Sequence, residues 1–297
     1  MAERALRHPG DHRVLFLPVN EPPRRGDELS SQHFAWGRYE QFFGRYGSRG
    51  LEPVGFFFSN RLGPRDAELL AGMLLEAPVA ILSSGSTPYG VWRMLDLGLR
   101  LFGDASLLPR LLLERQARGL LTAGVSAGAQ QLCSLFDGRG VRGCPFLEGF
   151  GLAQDVAVQV HHDSGGRRRL RSLARKRKRC LWFGLPNDSA IEVSHGRLPS
   201  GLRWQLLRFL IDTSYDEPRD QWHIKTRQGM KIDHFYADGR HWAFNHGDMV
   251  LQVRRRRSQH FSHAWLATGQ GVLDYASQRP TGLPDVGALL QALARSR

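Results

Sequence analysis

Short apolar runs and longer amphipathic stretches alternate along the first two-thirds of the chain. "HRVLFLPVN" (His12 to Asn20), "LEPVGFFFSN" and "PVAILSSGS" are brief apolar segments that close on turn residues, the pattern of buried strands. Between them, "FAWGRYEQFFGRYGSRG" carries Phe34, Tyr39, Phe42, Phe43 and Tyr46 at near-helical spacing and ends on glycine. "RDAELLAGMLLEA" and "PYGVWRMLDLGLRLF" repeat the helical period, as does "LLPRLLLERQARG". "LLTAGVS" then predicts a further strand and "AGAQQLCSLF" a helix. Strands that alternate with helices predict βαβ units, hence an α/β fold with a mainly parallel sheet and helices on both faces. Functional loops in such sheets lie at the carboxyl ends of the strands, where "SSGST" and "GVSAG" fall.

After about Ser200 the rhythm changes. "WQLLRFLID" reads as a helix, and "KIDHFYADGRHWAFN" as a hairpin turning at Asp238-Gly239. Pairing across that turn predicts His234, Tyr236 and His241 on one face, with Phe235 and Trp242 on the other. "QALARSR" reads as a short final helix. The expected division is an α/β domain over residues 1–204 and a C-terminal α+β extension over 205–297.

Composition narrows the class. The 297 residues, 41% hydrophobic and 10% aromatic, can bury a full core. The sequence holds no uncharged apolar run long enough for a membrane span. "MAERALRHPGDHRV" has arginines without the apolar segment of a secretory signal. Cys133, Cys144 and Cys180 are odd in number and lack paired metal spacing, so reduced thiols in a cytoplasm are expected. The net charge of +13 suits acidic partners, or a simply solvated arginine-rich surface.

Gly124-Val125-Ser126-Ala127-Gly128 satisfies G-x-S-x-G, the strand-to-helix elbow of a nucleophilic serine. Small flanking residues let strand and helix approach, and the bend exposes the hydroxyl beside the Ala127 amide, an oxyanion donor. The alternative is a tight packing turn with a structural serine. A second donor is expected from the "SSGST" loop, where Gly85 lets the backbone approach a ligand closely.

"GVSAGA" resembles the nucleophile motif of the serine peptidase family of dipeptidase E and cyanophycinase. "GFGLAQDVAVQVHHDSGGRRRLRSL" is similar to that family's "G…DQHF…RGR…RL", and "GLPNDSAIEVSHGRL" to its "GIDE-x-TA" and following strand. The likeness spans about residues 12–200 and implies a class-I glutamine-amidotransferase-like, flavodoxin-like three-layer fold. It implies Ser126 as nucleophile, His162 as its base with His161 the adjacent alternative, and Gly85 and Ala127 as oxyanion donors. The acid of "GIDE" falls on Asn187, an amide, while dipeptidase-E-like members draw an aspartate from between serine and histidine. Asp188, Asp137, Asp155 and Asp163 are the other candidates. Ser86 and Pro186 replace polar or acidic family residues, and Ser86, Arg167 and Arg169 are the expected substrate contacts.

"RRRLRSLARKRKR" and "RRRR" at Arg254 to Arg257 are read either as solvated faces or as sites for carboxylates or phosphates. In the first run Leu170, Leu173 and Ala174 are expected inside. His223, His234, His241, His246, His260 and His263 crowd the C-terminal third without metal-ligand spacing, so neither a metal nor a cofactor is expected. Trp222, Phe235, Tyr236, Trp242 and Phe244 are expected to build a small core there. The function expected is a serine-type hydrolase of a peptide or amide bond. Its partner would be a peptide or small amide substrate of acidic character, with no membrane and with room for a homodimer. The first alternative is a catalytically weakened member of the fold that binds an acidic ligand or nucleic acid. A second is an esterase of the α/β-hydrolase type with late His246 or His263, against which stands the lack of an HGGG-type segment.

Overall fold

The computed structural model of the protein describes residues 12–295, except 24–26, 28, 46–49, 140, 142–143, 145, 213–229, 256–257 and 259; His223 and Trp222 lie outside the described residues. The chain forms two compact units, Met1–Leu152 and Ala153–Arg297.

In the first unit, β1 (Arg13–Leu17), α1 (Ser30–Arg45), β2 (Glu52–Gly55), α2 (Pro64–Glu76), β3 (Val79–Leu82), α3 (Thr87–Phe102), α4 (Leu107–Ala117) and β4 (Leu121–Gly124) follow in turn. They build a parallel sheet of order β2-β1-β3-β4. Side-chain alternation splits the strands' apolar residues between two faces. Leu15, Leu17, Ala80 and Leu82 pack with Leu70, Leu74, Met94, Leu97 and Leu112 of α2, α3 and α4. Val14, Phe16, Val79 and Ile81 pack with Ala35, Trp36 and Tyr39 of α1. Burial on both faces is why these strands read as unbroken apolar runs. Helices therefore cover both faces, as expected. The helix α5 (Ala127–Leu132) is shorter than the sequence suggests: β5 (Leu135–Asp137) follows it and pairs with β6 (Phe146–Glu148).

Not all the arginine excess is surface charge. Arg115 of α4 is fully buried, donating to the carbonyls of Leu74, Ala77 and Leu121 and to the Thr122 hydroxyl. It satisfies the open carbonyls at the end of α2, and burial pushes its guanidinium down to about 10.

The second unit contains β7 (Val156–Gln159), α6 (Arg167–Lys176), β8 (Leu181–Gly184), β9 (Ser189–Arg197), β10 (Arg203–Ile211), β11 (Ile232–Phe235), β12 (His241–Phe244), β13 (Met249–Arg254), β14 (His263–Thr268), β15 (Gly271–Asp274) and α7 (Val286–Arg295). One sheet has the order β12-β11-β8-β7, with β7 and β8 parallel; the other, antiparallel, runs β15-β14-β13-β10-β9. A boundary after residue 204 would cut through β10.

Two expectations are corrected here. "WQLLRFLID" is not a helix but the body of β10, with Gln205, Leu207, Phe209 and Ile211 buried on one face. Its other face, at Trp204 and Leu206, packs in the cluster that holds Val286 and Leu289 of α7. Apolar residues on both faces erase the strand period from the sequence. The hairpin forms and turns at Gly239, but Tyr236 pairs with Arg240, so the register differs by one residue from that of a two-residue turn. A one-residue slip exchanges faces. His241 therefore lies with Phe235 and Asp233, and Trp242 with His234.

The expected small core is present in part: Tyr236, Trp242 and Phe244 share it, Phe235 lies on the other face against His241, and Trp222 is outside the described residues. Phe244 stacks on Phe209 at 4.0 Å, and Phe183, Tyr236 and Tyr275 surround His234. His234 Nδ1 donates to the Trp182 carbonyl at 2.9 Å, and the Tyr275 hydroxyl donates to Nε2 at 2.9 Å. Burial pushes the imidazole down from 6.5 to about 4. A depressed pKa means the unfolded chain takes up the proton first. Stability from the uncharged ring is thus complete above pH 6.5 and is lost as the pH falls through about 4. The loss should reach roughly 3 kcal/mol, measured as a falling melting temperature over that window. His234→Phe should flatten this limb.

Candidate active site

The elbow forms in the first unit. Ser126, half-buried, has φ 53° and ψ −106°, a backbone conformation that costs a non-glycine residue energy. The Val125 amide donates to the Leu82 carbonyl at 3.0 Å, and the Gly128 amide to the Ser83 carbonyl at 3.1 Å. These bonds press the elbow onto the end of β3, which explains both glycines. A Cβ on Gly124 would overlap the Gly128 carbonyl, and one on Gly128 would overlap the Leu82 carbonyl.

The "SSGST" loop ends β3 in the same unit. Gly85 is exposed with φ 125°, open only to glycine, and a Cβ there would overlap the Asn20 carbonyl. Among the described residues, no backbone carbonyl accepts from the Gly85 or Ala127 amide. Ser86 precedes α3 and its amide donates to Asn20 O at 2.8 Å. Asn20 itself was missed by sequence reasoning. It is fully buried, donates from Nδ2 to Ser83 O at 2.6 Å, and accepts from Gln131 Nε2. Its one signal in the sequence is a polar residue ending the apolar run of β1.

In the second unit, the adjacent histidines divide sharply. His161 is exposed, at φ 53°, and its Nδ1 meets Asn187 Oδ1 at 2.7 Å. With the amide oxygen facing the ring, Nδ1 donates and the basic lone pair is on Nε2. His162, the expected base, is buried, and its Nε2 donates instead to Asp233 Oδ2 at 2.9 Å. Asn187 thus joins His161 and not His162. The two residues follow β7 and do not extend it, so the turn, not strand alternation, separates their rings.

Asp233 was also missed. Besides His162 it accepts from Arg167 Nε at 2.7 Å and from His241 Nε2 at 2.7 Å. Burial alone would raise its carboxyl, but the hydrogen bonds from His162, Arg167 and His241 outweigh that and hold it well below the usual carboxylate range. No spacing rule links residue 233 to residues 162 and 167; only the antiparallel pairing of β11 with β8 does.

The remaining acid candidates have other partners. Asp137 pairs with Arg139, Asp155 accepts from His260 Nδ1 and the Phe261 amide, and Asp163 accepts from the Gly166 amide. Asp188 uses its carbonyl to accept from the Asp212 amide. Of the late histidines, His246 Nδ1 contacts the Ile211 backbone and His263 Nδ1 contacts the Ser262 hydroxyl. Leu170, Leu173 and Ala174 are buried as expected, with Arg168, Arg171 and Arg175 exposed. Arg169 is half-buried. Of the second basic run, Arg254 lies 5.6 Å from the Phe261 ring, while Arg256 and Arg257 lie outside the described residues. Among the described residues no cluster of three or more His, Cys, Asp or Glu could hold a metal ion, and no helix is long and apolar enough to cross a membrane.

Comparison with known proteins bears on the fold. No family model matches the chain, and no curated protein does. Among solved structures, a peptidase from an acI-B1 Actinobacterium matches 82% of this chain and 86% of its own, with a TM-score of 0.51 and 16% identity. The chain shares the fold of that protein. A candidate peptidase E protein from Listeria monocytogenes EGD-e covers 61% of this chain and 80% of its own, at TM-score 0.40 and 14% identity.

Proposed function

We propose that the protein is a serine hydrolase that cleaves a peptide or amide bond through an acyl-enzyme. The observation that carries this is the strained Ser126 elbow, with its hydroxyl-bearing residue at positive φ between two glycines that admit no side chain. Strain of this kind persists only where the surroundings enforce it and concentrates at functional positions. We assign the base to His161, not to His162, because Asn187 orients its ring while Nε2 keeps the basic lone pair. Ser126 Oγ attacks the carbonyl as its proton passes to His161 Nε2, and the Gly85 and Ala127 amides bind the oxyanion. His161 then returns the proton to the leaving amine, and water hydrolyses the Ser126 ester by the same route. An amide partner orients the ring but stabilises the imidazolium less than a carboxylate would.

We assign substrate recognition to Ser86 and Arg169, with Arg167 given to Asp233. We also assign the first unit a class-I glutamine-amidotransferase-like, flavodoxin-like three-layer core, in keeping with the order β2-β1-β3-β4. Cys133, Cys144 and Cys180 are all thiols, in keeping with a cytoplasmic setting. A fluorophosphonate probe should label the wild type. His161→Ala should slow labelling at least about 10²-fold, and Asn187→Ala about 10-fold through loss of ring orientation. A His161→Ala variant labelled as fast as wild type would remove the assignment.

A further inference from the structure

A buried polar cluster of the 153–297 unit, centred on Asp233, takes no part in the steps above. Asp233 lies on β11, beyond the span of the family resemblance, and is 4% exposed. Its Oδ2 accepts from His162 Nε2 and Arg167 Nε, and its Oδ1 from His241 Nε2 and, at 3.3 Å, Arg167 Nη2. His162 and Arg167 flank the short 3₁₀ turn Ser164–Gly166 and its cap Asp163, and His161 immediately precedes His162.

The ring of His162 fits a space made by two glycines. A Cβ on Gly184 would overlap the ring, and one on Gly166 would lie 2.8 Å from Nδ1. Nδ1 is buried and has no hydrogen-bond partner among the described residues, so the ring's polar anchor is the bond to Asp233. The His162 amide donates to Leu185 O at 2.8 Å, which ties this turn to the loop that carries Asn187. His161 would relax from φ 53° by rotating the adjoining backbone. That rotation would pull the His162 ring out of its space and off Asp233.

We propose that Asp233, acting through His162, is a positioning residue that latches His161 in its left-handed conformation against Asn187. This gives the C-terminal third of the chain a part in the reaction. It rests on His161 being the base, so the test must separate the two claims.

The variants are His162→Phe, which keeps the ring volume and loses the donor, and His162→Gln, which restores a donor to Asp233. Ser126 labelling by the fluorophosphonate should slow at least about 10-fold in His162→Phe and in Asp233→Asn, and recover to within about 3-fold of wild type in His162→Gln. A structural role alone would not produce that rescue at matched melting temperatures. Wild-type labelling rates in His162→Phe would overturn the proposal. Should that variant or Asp233→Asn fail to fold, Arg167→Leu, at the exposed edge of the cluster, should slow labelling several-fold, and a wild-type rate there would overturn it instead. Loss of the hydrolase reading is distinguishable, because the latch has its own signature. The His161 Nδ1–H resonance, protected by Asn187, should be seen by NMR in the wild type and His162→Gln and be absent in His162→Phe, whether or not Ser126 reacts. Its persistence in His162→Phe would overturn the latch.

Discussion

Ser126→Ala should lower hydrolysis and probe labelling by at least about 10³-fold while leaving the melting temperature near that of the wild type. Alanine keeps the Cβ and the positive φ but removes the hydroxyl, so the variant separates the hydroxyl's chemistry from backbone strain. Ser126→Gly should be equally inactive yet more stable by about 1 kcal/mol, since glycine adopts φ 53° and ψ −106° without steric cost. The pair therefore distinguishes a nucleophile from a packing turn. A packing turn would respond to both substitutions in stability and to neither in labelling. Thermal denaturation alongside active-site titration reads both quantities on one preparation.

Gly128→Ala should be among the most damaging single substitutions in the first unit, costing about 3 kcal/mol or more. The added methyl would overlap the carbonyl carbon, oxygen and Cβ of Leu82, which belong to a central strand of the sheet. Nothing there resembles the flexible end of a side chain that could swing away. Gly124→Ala should behave similarly, since its methyl would overlap the Gly128 backbone. Gly72→Ala supplies the contrast. That residue lies inside α2 with nothing within 4 Å of an added Cβ, so the helix should gain roughly 0.5–1 kcal/mol. Denaturant midpoints of the three variants would check the order. A tolerated Gly128→Ala would mean that the elbow can part from β3.

The first unit was readable in the sequence because its signals are local. Each strand is a short apolar run, each helix has its own period, and G-x-S-x-G marks its serine within five consecutive residues. The second unit was less so, for identifiable reasons. Trp204 and Leu206 have α7 in their apolar cluster while Leu207 and Phe209 face the interior, so the alternation that marks a strand vanished in β10. The hairpin was visible, but its register hung on one residue in the turn, and that residue decided whether His241 faced Asp233 or not.

The pair of histidines marks the limit most sharply. By itself, the sequence determined that a serine occupies a sharp strand-to-helix bend, and it offered two neighbouring imidazoles as candidates for a base. Both are legible in a few consecutive residues, although the bend itself is held against Leu82 of β3. Only the tertiary structure gave the two rings different partners. It buried His162 on a carboxylate from a strand 71 residues further along the chain and gave Asn187 to His161. Partners so far apart meet only once antiparallel pairing has fixed which strands are neighbours, and no local pattern records that.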